Sequence, residues 1–141
     1  MKIYLAARYT RREELLRYRE DLVEIGHEVT SRWLDGNHHW DSSKQALADQ
    51  LEWGTVAPEA SVFAIEDVED ILAASRLVSF TEPSRAVGAT RGGRHVEFGY
   101  GLAQRMTMLV VGHRENVFHA LPIVQFFPTW PEAREYLRGM P

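Results

Sequence analysis

The sequence of 141 residues contains no cysteine, which excludes both a disulfide framework and a thiolate metal site. No apolar run approaches the ~18 residues that a membrane span needs, and the short apolar run at the start is not a secretory signal. Positive charge is not in excess either, since the net charge is -4, whereas a domain that grips a nucleic-acid backbone is usually basic. We therefore expect a cytoplasmic protein that binds neither a membrane nor a nucleic acid polymer.

Segments of strand character and segments of helix character alternate along the chain. The apolar content of 45% and the charged content of 26% are those of a globular protein, and the length favours a single domain over residues 1–141. Alternating strands and helices predict an α/β fold with a parallel sheet covered on both faces. The predicted strands are Lys2–Ala7, His27–Trp33, Arg76–Phe80, Met108–Gly112 and Ile123–Phe127, and the predicted helices are Arg11–Ile25, Ser43–Trp53, Ala60–Ala74, Gly93–Arg105 and a last one that follows Thr129 and ends at Arg138.

Local patterns add detail to three of these helices. Thr10, with Glu13 three residues later, predicts a capping box at the start of the first helix. Gly99 and Gly101 lower the helix propensity of their segment by ~1 kcal/mol each, so we expect another element to approach them closely. Four apolar residues of the helix before the third strand are expected to face inward: Ala64, Val68, Ile71 and Leu72.

Two polar loops follow the first and third predicted strands. If the strand order is 2-1-3-4-5, the order reverses between these two strands, and ligands of such sheets bind beyond the strand ends at that point. Both loops contain arginine and precede a helix, whose free N–H groups and dipole favour an anion. A solvated basic loop is the alternative interpretation. The residues are Arg8, Thr10, Arg11 and Arg12 in the first loop, and Ser84, Arg85, Thr90, Arg91, Gly92, Gly93 and Arg94 in the second.

Two acidic residues are candidates to meet at the same place. Glu97 falls in the first turn of the helix after the second loop, and Asp67 lies near the inward face of the preceding helix. Two carboxylates flanking a glycosidic bond are the usual equipment for glycosyl transfer, because one attacks the anomeric carbon while the other handles the proton of the leaving group. The alternatives are a first-turn glutamate that stabilises its helix and an amphipathic helix whose acids face water.

Three segments together resemble a known family. They are Lys2–Ala6 (KIYLA), Asp67–Ser75 (DVEDILAAS) and Gly93–Gly101 (GRHVEFGYG), which occur in this order over most of the chain. The combination resembles the nucleoside 2-deoxyribosyltransferase superfamily, which includes the 2-deoxynucleoside 5-monophosphate N-hydrolases and related cytidylate hydrolases. The resemblance implies a flavodoxin-like three-layer sandwich with five parallel strands in the order 2-1-3-4-5. It also implies a homodimer or a larger homo-oligomer with shared sites.

The resemblance further implies roles for single residues. Glu97 matches the motif glutamate that forms a covalent glycosyl-enzyme intermediate, and Asp67 would orient or protonate the substrate. Tyr4 matches a first-strand tyrosine that positions the sugar or the glutamate, although a half-buried strand aromatic is the alternative. Ser84 ends a segment, Thr81–Ser84 (TEPS), that is similar to a Thr-Gln-Pro-Ser segment of the monophosphate hydrolases, in which the serine touches phosphate.

The chain departs from the family pattern in two ways. The loop from Ser84 to Glu97 looks longer than in the hydrolases, and no aspartate lies between Pro83 and Val96, where the transferases usually carry one. The transferases also use an asparagine of a neighbouring subunit near the chain end. Asn116 is the candidate for that residue, and a turn residue after a strand is the alternative.

The mechanism that the resemblance implies is a ping-pong displacement. Glu97 attacks C1 of the sugar while the base leaves with the assistance of Asp67, and water or a second base then releases the sugar. Because arginine pairs well with phosphate, the basic loops favour a substrate that carries a 5-phosphate. Trp33, Trp40 and Trp53 could stack on the base or lie in the core. The predicted substrate-binding residues are Arg8, Ser84, Arg91, Gly93, Arg94, Asn116 and Trp33.

Two other functions stay open at this point. One is a non-catalytic module that binds or senses a nucleotide through the same crevice. The other is a metal-dependent hydrolase, but the spacing from His113 through Glu115 to His119 does not match the helical zinc motif HExxH. The expected partner is therefore a small nucleoside or nucleotide, with no cofactor and no metal. The histidines considered for a metal are His38, His39, His113 and His119.

Overall fold

The computed structural model describes residues 1–36, 61–82 and 92–141, and the elements below lie within these ranges. The predicted helix at Ser43–Trp53 lies outside them. The strands are β1 (Lys2–Ala6), β2 (Glu28–Val29), β3 (Arg76–Phe80), β4 (Thr107–Val111) and β5 (Val124–Phe127), and the α-helices are α1 (Arg12–Glu24), α2 (Ser61–Ala73), α3 (Gly93–Ala103) and α4 (Trp130–Arg138).

The five strands form one parallel sheet in the order β2-β1-β3-β4-β5. This confirms the predicted fold class and strand order. Tyr4 of β1 is paired with Leu77 of β3, so these two strands are direct neighbours although the chain first runs out to β2. The strand order reverses between β1 and β3, and the residues that follow these strands therefore meet at the edge where such sheets bind ligands.

The three central strands are buried along nearly their whole length. After the exposed Lys2, β1 is buried through Ala6, and four of the five residues of β3 and of β4 are buried. A strand that reads as an apolar run without alternation is typical of a parallel sheet with helices on both faces. The fully buried side chains of this centre include Ile3, Tyr4, Leu5, Leu77, Phe80, Met108 and Leu109.

Aromatic side chains hold α1 and α4 together on one face of the sheet. Tyr18 of α1 stacks on Trp130 of α4 with ring centroids 4.6 Å apart, and both rings contact Phe80 of β3. The indole Nε1 of Trp130 also donates a hydrogen bond of 2.7 Å to Asp21. Because Leu77 lies three positions before Phe80, it points to the opposite face, where α3 approaches the sheet.

Gly101 is where α3 comes closest to the sheet. A Cβ on Gly101 would lie 2.8 Å from the Met108 sulfur and 3.2 Å from Leu77 Cδ1. The expected close approach is therefore confirmed at this glycine. It is wrong at Gly99, where no atom of the described residues lies within 4 Å of such a Cβ.

The start of α1 and the extent of β2 differ from the predictions. A 3-10 turn over Tyr9–Arg11 precedes α1. The N-cap residue of α1 is Arg11, whose side chain makes no capping hydrogen bond. The capping box predicted at Thr10 is therefore wrong. The predicted second strand shrinks to two residues because Ser31 leaves the sheet: its hydroxyl accepts a hydrogen bond of 2.7 Å from the Leu5 amide. A 3-10 helix then covers Arg32–Asp35.

The inward face of α2 also differs from the prediction. Ile71 is buried as expected, but Ala64 and Leu72 are exposed. Asp70 is buried instead, and accepts hydrogen bonds from the Arg32 amide at 2.7 Å and from Arg32 Nε at 2.6 Å. A polar anchor on the adjoining 3-10 helix, rather than an apolar stripe alone, sets the rotation of α2.

Within the described ranges, no helix has both the length and the apolar character that crossing a membrane requires.

Candidate active site

The hydroxyl of Tyr4 lies between two carboxylates that come from different helices. It lies 3.2 Å from Oε1 of Glu97 on α3 and 3.3 Å from Oδ1 of Asp67 on α2, and it is the donor to each. The distance between these two carboxylate oxygens is therefore smaller than the sum of the two hydrogen-bond distances. All three residues predicted to be catalytic come together in the structure, at the sheet face that α2 and α3 cover.

Each of the three side chains is held by its own element. Tyr4 is fully buried in the middle of β1. Asp67 lies one helical turn before Asp70, whose bonds to Arg32 fix α2 beside the end of β2. Glu97 lies in the second turn of α3 and not in the first, so the helix dipole contributes little to it.

Glu97 occupies an environment that disfavours its charge. Its Oε2 is buried and has no hydrogen-bond partner among the described residues, although part of the residue stays exposed. Burial, followed by the negative charge of Asp67, raises the pKa of Glu97 to about 8, while the Tyr4 hydroxyl and Arg94 act to lower it. A raised pKa beside a second carboxylate is a common feature of catalytic acids and bases.

Tyr4 remains a proton donor over the whole physiological range. Burial, and then the charges of Glu97 and Asp67, raise the pKa of Tyr4 well above its usual value. A hydroxyl has one proton and can donate to one of its two neighbours at a time. The carboxyl group that does not receive the Tyr4 proton can still form a hydrogen bond to the Tyr4 oxygen if it is itself protonated. This agrees with the raised pKa of Glu97.

Arg94 is a buried cation beside Glu97. Its Nη2 lies 2.8 Å from Oε2 of Glu115, while its Nε and Nη1 are buried and find no hydrogen-bond partner within the described ranges. The other carboxylate oxygen of Glu115 accepts a hydrogen bond of 2.7 Å from the backbone N–H of Glu82. Burial acts to raise the pKa of Glu115, but the Glu82 amide and Arg94 outweigh it and hold this pKa below its usual value.

Arg8, predicted to bind substrate, lies beside an acid at the strand ends. Its Nη1 is 3.8 Å from Oε2 of Glu82, and Nη1 of Arg11 is 3.8 Å from Oε1 of the same carboxylate. Arg11 also donates to the backbone oxygen of Thr81 at 3.0 Å. Arg8 follows β1 and Glu82 follows β3, so this group lies at the predicted switch point.

The remaining predicted binding residues have different placements. Gly93 opens α3, and a Cβ there would meet no described atom; the left-handed backbone conformation falls on Gly92 instead, with φ +80°. Asn116 caps its own 3-10 helix by accepting a hydrogen bond from the Phe118 amide at 2.9 Å. Trp33 is buried, and its Nε1 donates to the Leu5 carbonyl. Ser84, Arg91, Trp40 and Trp53 lie outside the described residues.

His95, Glu115 and His119 form a group that could in principle hold a metal, because one ligand atom of each lies within 4.8 Å of the others. The ligand atoms of Glu115 and His119 already contact other groups, however. Glu115 forms an ion pair with Arg94. The two ring nitrogens of His119 lie 3.3 Å from the Glu115 amide and 3.4 Å from the Asn116 side-chain nitrogen. His38 and His39 lie outside the described residues.

Sequence reasoning gave Glu82 and Glu115 no role. Glu82 was considered only as part of the segment Thr81–Ser84, and Glu115 only for its spacing from histidines. Both are acidic residues close behind a predicted strand, on the edge where the carboxyl ends of parallel strands collect. That position is the signal that could have found them.

Two solved structures share this fold. The CMP N-glycosidase BcmB of Clostridium botulinum is 16% identical, with a TM-score of 0.56 over 97% of this chain and 98% of that chain. A 2-deoxyribosyltransferase of the psychrotolerant bacterium Bacillus psychrosaccharolyticus is 18% identical, with a TM-score of 0.66 over 96% of this chain and 92% of that chain. No family model and no curated protein matches the sequence. The two structures confirm the fold that the resemblance implied.

Proposed function

We propose that the chain cleaves the N-glycosidic bond of a (deoxy)nucleoside or a nucleoside 5′-monophosphate, through a glycosyl intermediate on Glu97. The observation that carries this proposal is the Tyr4 hydroxyl, which lies within 3.3 Å of both Glu97 and Asp67. Two carboxyl groups so close together suit the retaining arrangement, in which they lie about 5 Å apart. The two solved neighbours are an N-glycosidase and a 2-deoxyribosyltransferase, which supports the same class of reaction.

Catalysis needs Glu97 ionised and Asp67 protonated. The raised pKa of Glu97 keeps a proton on that carboxyl group at neutral pH. Because the Tyr4 hydroxyl lies between the two groups, Glu97 can pass its proton to the Tyr4 oxygen while Tyr4 passes its own to Asp67. The result is a nucleophile on α3 and an acid on α2, with no change in total charge.

In the first chemical step an oxygen of Glu97 forms a bond to C1′ of the sugar. The C1′–N bond breaks, its electron pair goes to the base, and Asp67 supplies the proton that the leaving base requires. Arg94 favours the ionised Glu97 electrostatically. The product is a sugar ester of Glu97 and a free base.

In the second step the ester is opened. Water, or the nitrogen of another base, attacks C1′ while Asp67 takes up the proton that the attacking group loses. The C1′–O bond to Glu97 breaks and returns the carboxylate. Hydrolysis and base exchange differ only in which acceptor enters.

We also propose a homo-oligomer of this chain. Apolar side chains of α2 and α3 stay exposed, and large exposed apolar surfaces commonly mark interaction sites. These residues are Val62, Ile65, Leu72, Val96 and Tyr100.

The test is mass spectrometry of the intact protein, quenched rapidly after mixing with deoxynucleosides and with nucleoside 5′-monophosphates. We expect an adduct of one sugar or sugar phosphate, located on Glu97 by peptide mapping and absent in Glu97→Gln. Exposed Glu28, whose side chain is 64% accessible, gives the matched control Glu28→Gln, which should keep the adduct. Turnover by Glu97→Gln at the wild-type rate contradicts the proposal. Substrate binding without any turnover in the wild type would favour the sensing module instead.

A further inference from the structure

We propose that Glu82 makes the site select nucleosides with a free 5′-hydroxyl over nucleoside 5′-monophosphates. The inference rests on the proposed function and narrows its substrate class. Glu82 lies two residues after β3 and Arg8 lies two residues after β1. These strands are neighbours at the switch point, so the two side chains lie at the edge where sheets of this kind bind ligands.

Glu82 compensates the cations that would otherwise attract a phosphate. Arg8 and Arg11 each approach its carboxylate to 3.8 Å, and the Glu82 side chain is only 12% exposed. Arg11 is in addition bound by both oxygens of Glu14 at 2.8 Å. This group therefore holds two cations and two anions, and has no net charge with which to bind a dianion.

The Glu82 carboxylate can still accept a hydrogen bond. A distance of 3.8 Å is too long for a hydrogen bond from either arginine, and Glu82 Oε1 has no hydrogen-bond partner among the described residues. A sugar hydroxyl can donate to such an oxygen. A phosphate dianion has only acceptor oxygens and would be repelled by it.

A chain of contacts links Glu82 to the proposed nucleophile. Its backbone N–H binds Glu115, and Glu115 in turn contacts Arg94. Arg94 acts on the charge of Glu97, three residues further along α3. The proposal places C1′ of the sugar at Glu97 and its other end toward the strand ends that carry Glu82.

The remaining arginines of the two loops do not restore a phosphate site in the part of the chain that the structure describes. Arg12 pairs with Glu13 at 2.8 Å and Arg94 pairs with Glu115 at 2.8 Å. The basic loops favoured a 5′-phosphate because arginine pairs well with phosphate. Each described arginine of the loops already pairs with a carboxylate, so these arginines do not by themselves favour a phosphate. Arg85 and Arg91 lie outside the described residues.

The experiment compares kcat/KM for a deoxynucleoside and for its own 5′-monophosphate. The proteins are the wild type, Glu82→Gln, Glu82→Asp and Glu24→Gln. Glu82→Asp keeps the charge at the site. Glu24→Gln removes one charge at the far end of α1, about 20 Å away along a helix of this length and so beyond the Debye length of about 10 Å.

We expect the wild type to prefer the nucleoside. Glu82→Gln should shift the ratio of the two kcat/KM values toward the monophosphate by about tenfold or more, because one negative charge near a dianion is lost. The two control variants should change the ratio by less than about threefold, since the local charge is kept or the change is screened. Circular dichroism verifies folding, and Glu82→Ser replaces Glu82→Gln if the glutamine variant does not fold.

Two results overturn the inference alone: a wild type that prefers the monophosphate, or a ratio that is the same in Glu82→Gln and the wild type. A wild type that turns over neither substrate overturns the proposed function, and this inference with it.

Discussion

The Tyr4 hydroxyl lies 3.2 Å from Oε1 of Glu97, although 93 positions of sequence separate the two residues. The contact joins the central strand β1 to α3, and the same hydroxyl reaches Asp67 on α2. The hydrogen bond acts to lower the pKa of Glu97 against the effects of burial and of the Asp67 charge. Tyr4 therefore influences the fraction of Glu97 that is ionised, and only ionised Glu97 can attack the sugar.

The first prediction concerns the single proton that Glu97 and Asp67 share. The proposed reaction needs this proton on Asp67, and the pair loses it with a pKa of about 8, so kcat/KM of the wild type should fall as pH rises through about that value. Tyr4→Phe removes a contact that lowers the pKa of Glu97 and also removes the path of the proton to Asp67. The fall should therefore move to higher pH, and activity at pH 7 should decrease about tenfold or more. A pH–rate profile measures both effects. A tyrosine that only packs in the core would leave the position of the fall unchanged.

The second prediction follows from the same pKa and concerns stability. Glu97 binds its proton more tightly in the folded state than in the unfolded state, where its pKa is near 4.5. The folded state therefore retains a proton between about pH 4.5 and pH 8 that the unfolded state has lost, and stability falls as pH rises through this window. The loss should be on the order of 5 kcal/mol.

Glu97→Gln carries no titrating group at this position and should escape that loss. Urea unfolding at pH 5 and pH 8.5 should therefore show a smaller decline in the free energy of unfolding for Glu97→Gln than for the wild type. Glu28→Gln, on the exposed edge strand, should follow the wild type. Parallel pH dependence of all three proteins would show that burial of Glu97 has little influence on folding.

Much of the fold could be predicted because it depends on local pattern. The apolar run of Arg76–Phe80 gave the limits of β3 correctly, since a central parallel strand shows its burial in its composition. The failures arise where distant side chains decide. Ser31 leaves the sheet to bind the Leu5 amide, and Asp70 is buried because Arg32 reaches it. Neither partner can be identified from spacing along the chain.

The candidate site divides in the same way. Glu97, Asp67 and Tyr4 could be chosen from chemistry and resemblance, and the topology then brings them together. The ion pairs of Glu82 with Arg8 and of Glu115 with Arg94 depend on how three strand ends lie side by side. From the sequence alone, Arg8 and Arg94 look like free cations, whereas in the structure each has a carboxylate partner.

The third prediction concerns the buried pair of Glu115 and Arg94. Glu115→Gln leaves the Arg94 guanidinium, whose side chain is 5% exposed, without a counter-charge. Breaking a buried ion pair from one side commonly costs about 3–5 kcal/mol, and we expect a loss of stability in that range. Glu13→Gln breaks the pair with Arg12 at a side chain that is 79% exposed, and should cost at most about 1 kcal/mol.

Denaturant unfolding at pH 7 measures both variants. Equal stability of Glu115→Gln and Glu13→Gln would mean that Arg94 finds another partner or reaches water when Glu115 is lost.

The fourth prediction compares two glycines of α3. Alanine favours a helix over glycine by about 1 kcal/mol, and this gain applies equally to Gly99→Ala and Gly101→Ala. At Gly101 the new methyl group would lie 2.8 Å from the sulfur of fully buried Met108, and overpacking of a core typically costs about 1–3 kcal/mol. Gly101→Ala should therefore be less stable than Gly99→Ala by about that amount. Thermal or urea unfolding of the two variants gives the difference directly, and a Gly101→Ala protein as stable as Gly99→Ala would show that α3 does not press on the sheet at this point.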